Sequence, residues 1–238
     1  MIRNGAIHNV TSGKYSSPTQ PPTATKRSAP SRYGIKIAIF TALFVIALAI
    51  DIPVSNWVHQ VGLSATMKNM SRTENRMLRS YGIGWISTTT ATLLLLAFNR
   101  KKSAAIVATS GIFSLSNQII KWMVGRLRPF HGDWAFQFHP FFGGPMGLFH
   151  AEGPLSFPSG DATLAFAMTM SLSWALPRWT LLWWTLGVWI ALERVGEGAH
   201  YPSDVIAGAA LGILCALLAR RMIEAWMDKQ QEQPLHGK

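Results

Sequence analysis

His200 and Asp204 stand four residues apart in the run Arg194-Val195-Gly196-Glu197-Gly198-Ala199-His200-Tyr201-Pro202-Ser203-Asp204, which separates two strongly apolar segments. Placing Arg, His and Asp at the edge of a bilayer is costly unless they pair or hold a ligand, so such groups are functional candidates. On a helix, this spacing puts His200 and Asp204 on one face. A carboxylate bonded to one imidazole nitrogen fixes the tautomer and leaves the other nitrogen as nucleophile or base. Arg194, just upstream, has the planar donor fork that neutralises phosphate.

Two other stretches suit an anion. Lys121, followed after six residues by Arg128-Pro129, offers a point charge and a fork at the end of an apolar segment. Read alone, such residues serve equally as headgroup anchors. Phe157-Pro158-Ser159-Gly160-Asp161 opens the next apolar segment. Ser159 is a natural N-cap, Gly160 leaves its backbone open to close approach, and a helix N-terminus presents N–H groups to an anion. Read alone, this is an ordinary capped helix start. The three stretches fall on one side of the predicted topology, and together they make a phosphate site.

Their order and spacing, Lys121 to Arg128-Pro129, Pro158-Ser159-Gly160 and Arg194 to His200 to Asp204, resemble the signature of the type 2 phosphatidic acid phosphatase (PAP2) family. These are lipid phosphate phosphatases related to vanadium haloperoxidases. The resemblance covers roughly residues 81–220. It implies a PAP2-like helical core, no metal or other cofactor, and a phosphohistidine intermediate. Carried over to this chain, His200 is the nucleophile and Asp204 its orienting partner. Lys121, Arg128 and Arg194 bind the phosphoryl oxygens, joined by Ser159 and the Gly160 backbone.

One position departs from the family pattern. Where the second motif usually ends in a His that protonates the leaving alkoxide, this chain has Asp161. An Asp at a helix N-terminus beside Lys and Arg favours its ionised form, which makes a poor proton donor at neutral pH. Three resolutions are open. Asp161 takes a proton when a phosphate dianion offsets the cations; His150, in the same loop, is the alternative acid; or the leaving group is itself a phosphate and needs little protonation.

The elements that must position these residues are all helical. With 238 residues, 49% apolar and 14% charged, the chain is too apolar for an ordinary soluble domain. Its mean hydropathy of +0.19 agrees. Ten Trp and twelve Phe fit headgroup-level belts. Six apolar segments, Ile35 to Ile52, Tyr81 to Phe98, Ser103 to Ile120, Ala162 to Leu176, Trp179 to Leu192 and Val205 to Ala219, predict an all-α integral membrane protein with six transmembrane helices. Residues 34–222 form that domain, 1–33 a disordered basic tail, and 223–238 a C-terminal tail. No cleavable signal peptide is read, because the first apolar run starts only near Ile35. The single cysteine, Cys215, excludes an intramolecular disulfide.

Charge sets the predicted orientation. An N-terminus in the cytoplasm gathers the basic tail, Arg100 to Lys102, Arg178, Arg220 and Arg221 on the inner side. It leaves the 121–161 and 193–204 loops outside, with Lys121, Arg126, Arg128 and Arg194 in the polar constellation. For a bacterial chain this places the site on the periplasmic face of the inner membrane. The net charge of +11 lies at segment ends and not along one soluble face, which favours membrane lipids and phosphate over nucleic acid. In the first outer loop, Lys68, Arg72, Arg76 and Arg79 form a stripe for anionic headgroups or a solvated face. His131, His139 and His150 lack metal-ligand spacing. Trp134, Phe136, Phe138, Phe141 and Phe142 make their loop apolar enough to sit among headgroups.

The resulting expectation is a membrane phosphatase acting on the phosphomonoester or diphosphate of a lipid: phosphatidic acid, phosphatidylglycerol phosphate, an isoprenyl diphosphate or a phosphorylated glycolipid. A phosphotransferase using the same intermediate, and a protein that binds or moves phosphorylated lipids without hydrolysis, are the alternatives. Oligomeric state is not legible.

Overall fold

The computed structural model describes residues 32–63, 84–129, 137–149 and 154–232. Within them, each apolar segment coincides with a helix. These are α1 (Arg32–Gln60), α2 (Gly84–Ala97), α3 (Lys101–Ser114) continued by α4 (Ser116–Val124), α5 (Gly160–Ala175), α6 (Thr180–Gly196) and α7 (Pro202–Glu232). Short 3-10 turns occupy Gly144–Phe149 and Pro177–Trp179. Helices answer the demand that apolar segments satisfy their own backbone polar groups. The Ser110 and Ser114 hydroxyls donate to the carbonyls of Val107 and Gly111, just before the pattern breaks at Leu115 between α3 and α4.

Three stretches are long and apolar enough to cross a membrane: Ile37–Gln60, Lys101–Val124 and Pro202–Gln231. The remaining helices, α2, α5 and α6, have 14, 16 and 17 residues, at or below the usual lower limit of about 17. Six helical segments are therefore present, while span length is reached by three. The helix from Pro202 continues to Glu232, past residue 222, where the sequence reading begins a tail. Residues 1–31, the Lys68, Arg72, Arg76 and Arg79 stripe, and His131, Trp134, Phe136 and His150 lie outside the described residues.

Chain direction alternates from helix to helix, which brings the motif-bearing ends together. Asp51 of α1 reaches Ser203 at the start of α7, Ser159 before α5 reaches Asp204, and Arg194 near the end of α6 reaches Asp161. At the opposite end, Arg100 donates to the Ala175 carbonyl and Lys102 pairs with Glu224. Polar ties thus close both ends around an apolar middle of Leu95, Val107, Met168 and Leu172.

The closest seam is between α5 and α7. Gly208 and Gly212 form a Gly-x-x-x-Gly pair, and a Cβ on either would run into the carbonyl of Ser159 or Thr163. Small residues at this spacing let two helices touch backbone to backbone. The outside of the bundle is apolar: Leu181 is 81% exposed and Trp189 67%. In water each such surface costs about 25 cal/mol per Å², and patches of this kind mark contact with lipid or protein.

Candidate active site

The first stretch is held from both sides. Lys121 lies in the last turn of α4, fully buried, and Gly125 ends that helix with a φ of +64°. An added side chain there would meet the His139 carbonyl, so the turn requires glycine. Residues 126–128 then run extended. Leu127 N–H donates to the Gln137 carbonyl at 2.9 Å, Arg128 N–H to Pro154 at 2.9 Å, and Ser156 N–H to Arg126 at 2.7 Å. Residues two apart in extended backbone share a face. Arg126 and Arg128 therefore enter the bundle end together, Arg128 with its Nε 3.2 Å from the Leu155 carbonyl.

The second stretch behaves as an N-terminus should. Ser159 is the N-cap of α5, its Oγ accepting from Ala162 N–H at 3.4 Å. Its own N–H donates to the Asp204 carbonyl at 3.0 Å, a direct tie to the third stretch. Gly160 is packed by Asn117. A Cβ on Gly160 would sit 3.1 Å from Asn117 Nδ2 and 3.9 Å from Lys121 Nζ. Asn117 is buried, one turn before Lys121 on α4, and its Nδ2 has no hydrogen-bond partner among the described residues.

The third stretch corrects one expectation. His200 and Asp204 do not share a helical face, because α7 begins only at Pro202. Tyr201 is the residue before the helix, Pro202 takes the first helical position, where its missing N–H does no harm, and Asp204 reaches back. Its Oδ2 accepts from Tyr201 N–H at 2.8 Å, half of a capping box. The turn, not a helical repeat, leaves His200 Nδ1 3.7 Å from Asp204 Oδ2. His200 Nδ1 has no hydrogen bond at this separation. Such pairs shorten when substrate binds.

Electrostatics bring the predicted residues into one site. Burial holds His200 well below the ordinary 6.5, and Arg128, then Lys121, and more weakly Arg194, push the same way, while Asp161 opposes them. The imidazole is therefore neutral, the nucleophilic form. Burial also raises Tyr201 to about 12. Arg194 is already engaged: Nη1 lies 3.2 Å from Asp161 Oδ2, and Nη2 lies 3.1 Å from Glu197 Oε2. An arriving phosphate must compete with Asp161 for that guanidinium. His139 is exposed, and among the described residues no three His, Cys, Asp or Glu side chains group as metal ligands.

Beside the site lies an apolar groove of about 1130 Å³ between α2, α5 and α6. Leu94, Leu164, Met168 and Trp183 are among its walls, Asp161 and Arg194 stand at one end, and Phe98 and Arg100 at the other. Three cations and a helix N-terminus around a neutral imidazole can take a phosphoryl dianion. The groove can take whatever apolar group is attached to it.

The PAP2 superfamily profile matches residues 99–228, which contain all three stretches. The chain belongs to that superfamily. It is 39% identical over 117 residues to a lipid A 1-phosphatase of Rhizobium etli, covering 48% of this chain and 47% of that protein. It is 30% identical over 156 residues to an undecaprenyl-diphosphatase of Sulfolobus acidocaldarius, covering 63% and 69%. A decaprenylphosphoryl-5-phosphoribose phosphatase of Mycobacterium tuberculosis is 32% identical over 159 residues, covering 65% and 77%. The chain spans about half the length of the Rhizobium relatives, at 47% and 43%. No solved structure matches it.

Two residues at this PAP2 site escape the sequence motifs: Asp51 and Asn117. Arg126, which the sequence places in the polar constellation without a partner, is buried and bonded to Asp204 at 2.8 Å. A signal for Asp51 exists, as the lone carboxylate inside an apolar run. Asn117 carries none beyond its one-turn spacing from Lys121.

Proposed function

We propose that the protein is an integral membrane phosphatase whose six helices cross the bilayer and which removes phosphate from a lipid phosphate or diphosphate. The observation that carries this reading is the junction of cation-lined pocket and apolar groove, with Asp161 and Arg194 belonging to both. A phosphoryl group at His200 would then trail its hydrocarbon between α2, α5 and α6. All three relatives are named for phosphatases, one for lipid A and two for prenyl-linked phosphates. With the basic tail and Arg100 to Lys102 in the cytoplasm, the site faces the periplasm.

The reaction has two displacements. The His200 nitrogen remote from Asp204 attacks phosphorus, the bond to the lipid oxygen breaks, and that oxygen takes a proton from Asp161. Asp161 acquires this proton as the dianion takes over Arg194. Water then attacks the phosphohistidine, gives a proton back to Asp161, and free phosphate leaves. Lys121, Arg128, Arg194 and the Ser159–Gly160 backbone hold the phosphoryl oxygens throughout, and Asn117 Nδ2 adds a neutral donor.

Purified protein offered phosphatidic acid, an isoprenyl diphosphate and a phosphorylated glycolipid should release phosphate from at least one, with KM rising steeply as the tail is shortened. Equal KM for a short-chain and a long-chain substrate would remove the groove from the reading. Labelled phosphate appearing on a second lipid and not in solution would make the protein a phosphotransferase. Binding without release of either product would leave a lipid-phosphate carrier.

The pH profile carries its own expectation. Activity of the free enzyme needs neutral His200, so kcat/KM is lost as pH falls through the His200 pKa, which lies well below 6.5. Any acidic limb near about pH 6 should follow the second ionisation of the substrate phosphate. Measuring kcat/KM with two phosphomonoesters of different second pKa, one alkyl and one aryl, checks this. A limb near 6.5 common to both would contradict it.

A further inference from the structure

Asp51 comes from α1, outside the 99–228 stretch matched by the family profile, yet it is fully buried against the start of α7. One carboxylate oxygen, Oδ1, accepts from Ser203 N–H at 2.8 Å, so a residue 152 positions away caps that helix. The other, Oδ2, accepts from the Ser203 hydroxyl and lies 2.9 Å from Arg126 Nη2. Arg126 continues the chain. Its Nη1 donates to Asp204 Oδ1 and to Ser203 Oγ, both at 2.8 Å, and its guanidinium stacks over the Tyr201 ring at 3.8 Å.

Both oxygens of Asp204 are therefore committed, Oδ1 to Arg126 and Oδ2 to Tyr201 N–H. The direction in which Asp204 faces His200 is set by these partners, and His200 itself, at 3.7 Å, contributes little to it. Charge points the same way. With both carboxylates ionised through their bonds to Arg126, Asp51, Arg126 and Asp204 sum to one net negative charge beside His200. When His200 takes a phosphoryl group its ring becomes cationic, and that negative charge joins Asp161 in stabilising it. Without Asp51, Arg126 would offset Asp204 and weaken the counter-charge that faces the ring from that side.

We propose that Asp51 is a positioning residue of the phosphatase site: from the first helix it anchors Arg126, which fixes Asp204 and leaves its charge available to His200. The inference rests on His200 being the phosphorylated residue. It makes α1 part of the catalytic unit and not only a membrane anchor. Asp51 touches none of the residues assigned to phosphate, so its effect belongs in turnover and not in substrate binding.

Asp51→Asn keeps the size and one oxygen acceptor but removes the charge, and Arg126→Lys keeps a charge but loses the fork. Both should lower kcat about 10- to 100-fold, the usual scale for groups that orient a reacting residue, with KM nearly unchanged. The decisive measurement is single-turnover labelling of the protein by a phosphorylated lipid. Positioning predicts a wild-type amplitude reached at a lower rate. A reduced amplitude reached at the wild-type rate would mean that Asp51 only holds the fold together, and would overturn the proposal, as would unchanged kcat in Asp51→Asn. Wild-type turnover and its loss in His200→Ala control the phosphatase reading separately. A wild-type protein that neither turns over nor labels would sink that reading and this inference with it.

Discussion

His200→Ala is expected to lower phosphate release by roughly 10⁴-fold or more, the scale on which removing a covalent nucleophile acts. The protein should still fold. His200 Nδ1 makes no hydrogen bond, and the loop around it is held by the backbone, with Ala199 and His200 N–H groups donating to the Arg194 carbonyl at 3.2 and 3.3 Å. Truncation leaves a void but no orphaned polar partner, so loss of activity should appear without loss of inserted, thermally stable protein. Retained label on wild-type protein and none on the variant would tie the loss to a phosphohistidine. A variant keeping a tenth of wild-type turnover would exclude His200 as nucleophile.

Asp161 makes the second large expectation, and the structure sharpens it. Because Asp161 Oδ2 lies 3.2 Å from Arg194 Nη1, its substitution does two things at once. Asp161→Asn removes the proton carrier, which should lower kcat by about 10² to 10⁴ for an alkyl phosphate. The same change frees Arg194 for phosphate, so KM should fall. Asp161→His should recover much of kcat. With a good leaving group, such as an aryl phosphate or a diphosphate, the loss in Asp161→Asn should shrink strongly. Turnover of an alkyl phosphate equal to wild type in Asp161→Asn would assign the proton elsewhere.

The part of the site that is legible in sequence is the part encoded locally. Ser159 caps its helix through a residue three positions on, and Lys121 and Arg128 flank a single helix end, so spacing alone carries them. His200 and Asp204 are also local, but their spacing has two physical origins: a helical repeat and a capping turn both bring residues four apart together. Sequence periodicity does not distinguish them. Pro202 at the first helical position is the clue that favours the turn.

The partnership of Asp51 with Arg126 is not legible for a different reason. Each is bound to residues 75 to 152 positions away, and nothing near Asp51 in sequence announces a partner. What was available was a cost argument: a carboxylate inside an apolar run must be compensated somewhere. The Gly208 and Gly212 pair was equally readable as a contact face, without naming α5 as its partner. Helix positions were predicted well because apolar content decides them. Helix ends, such as the extension of α7 to Glu232, depend on the solvent side, where apolar content has no say.

The backbone seam between α5 and α7 separates the part of the protein that fixes the motifs from the part that lines the groove. Ser159 and Asp204 are joined main chain to main chain across it, so the spacing between the second and third motifs does not depend on any side chain that lines the groove. The groove wall on α2, with Ile86, Thr90 and Leu94, lies off that seam. That wall can therefore change shape while the two motifs stay in register.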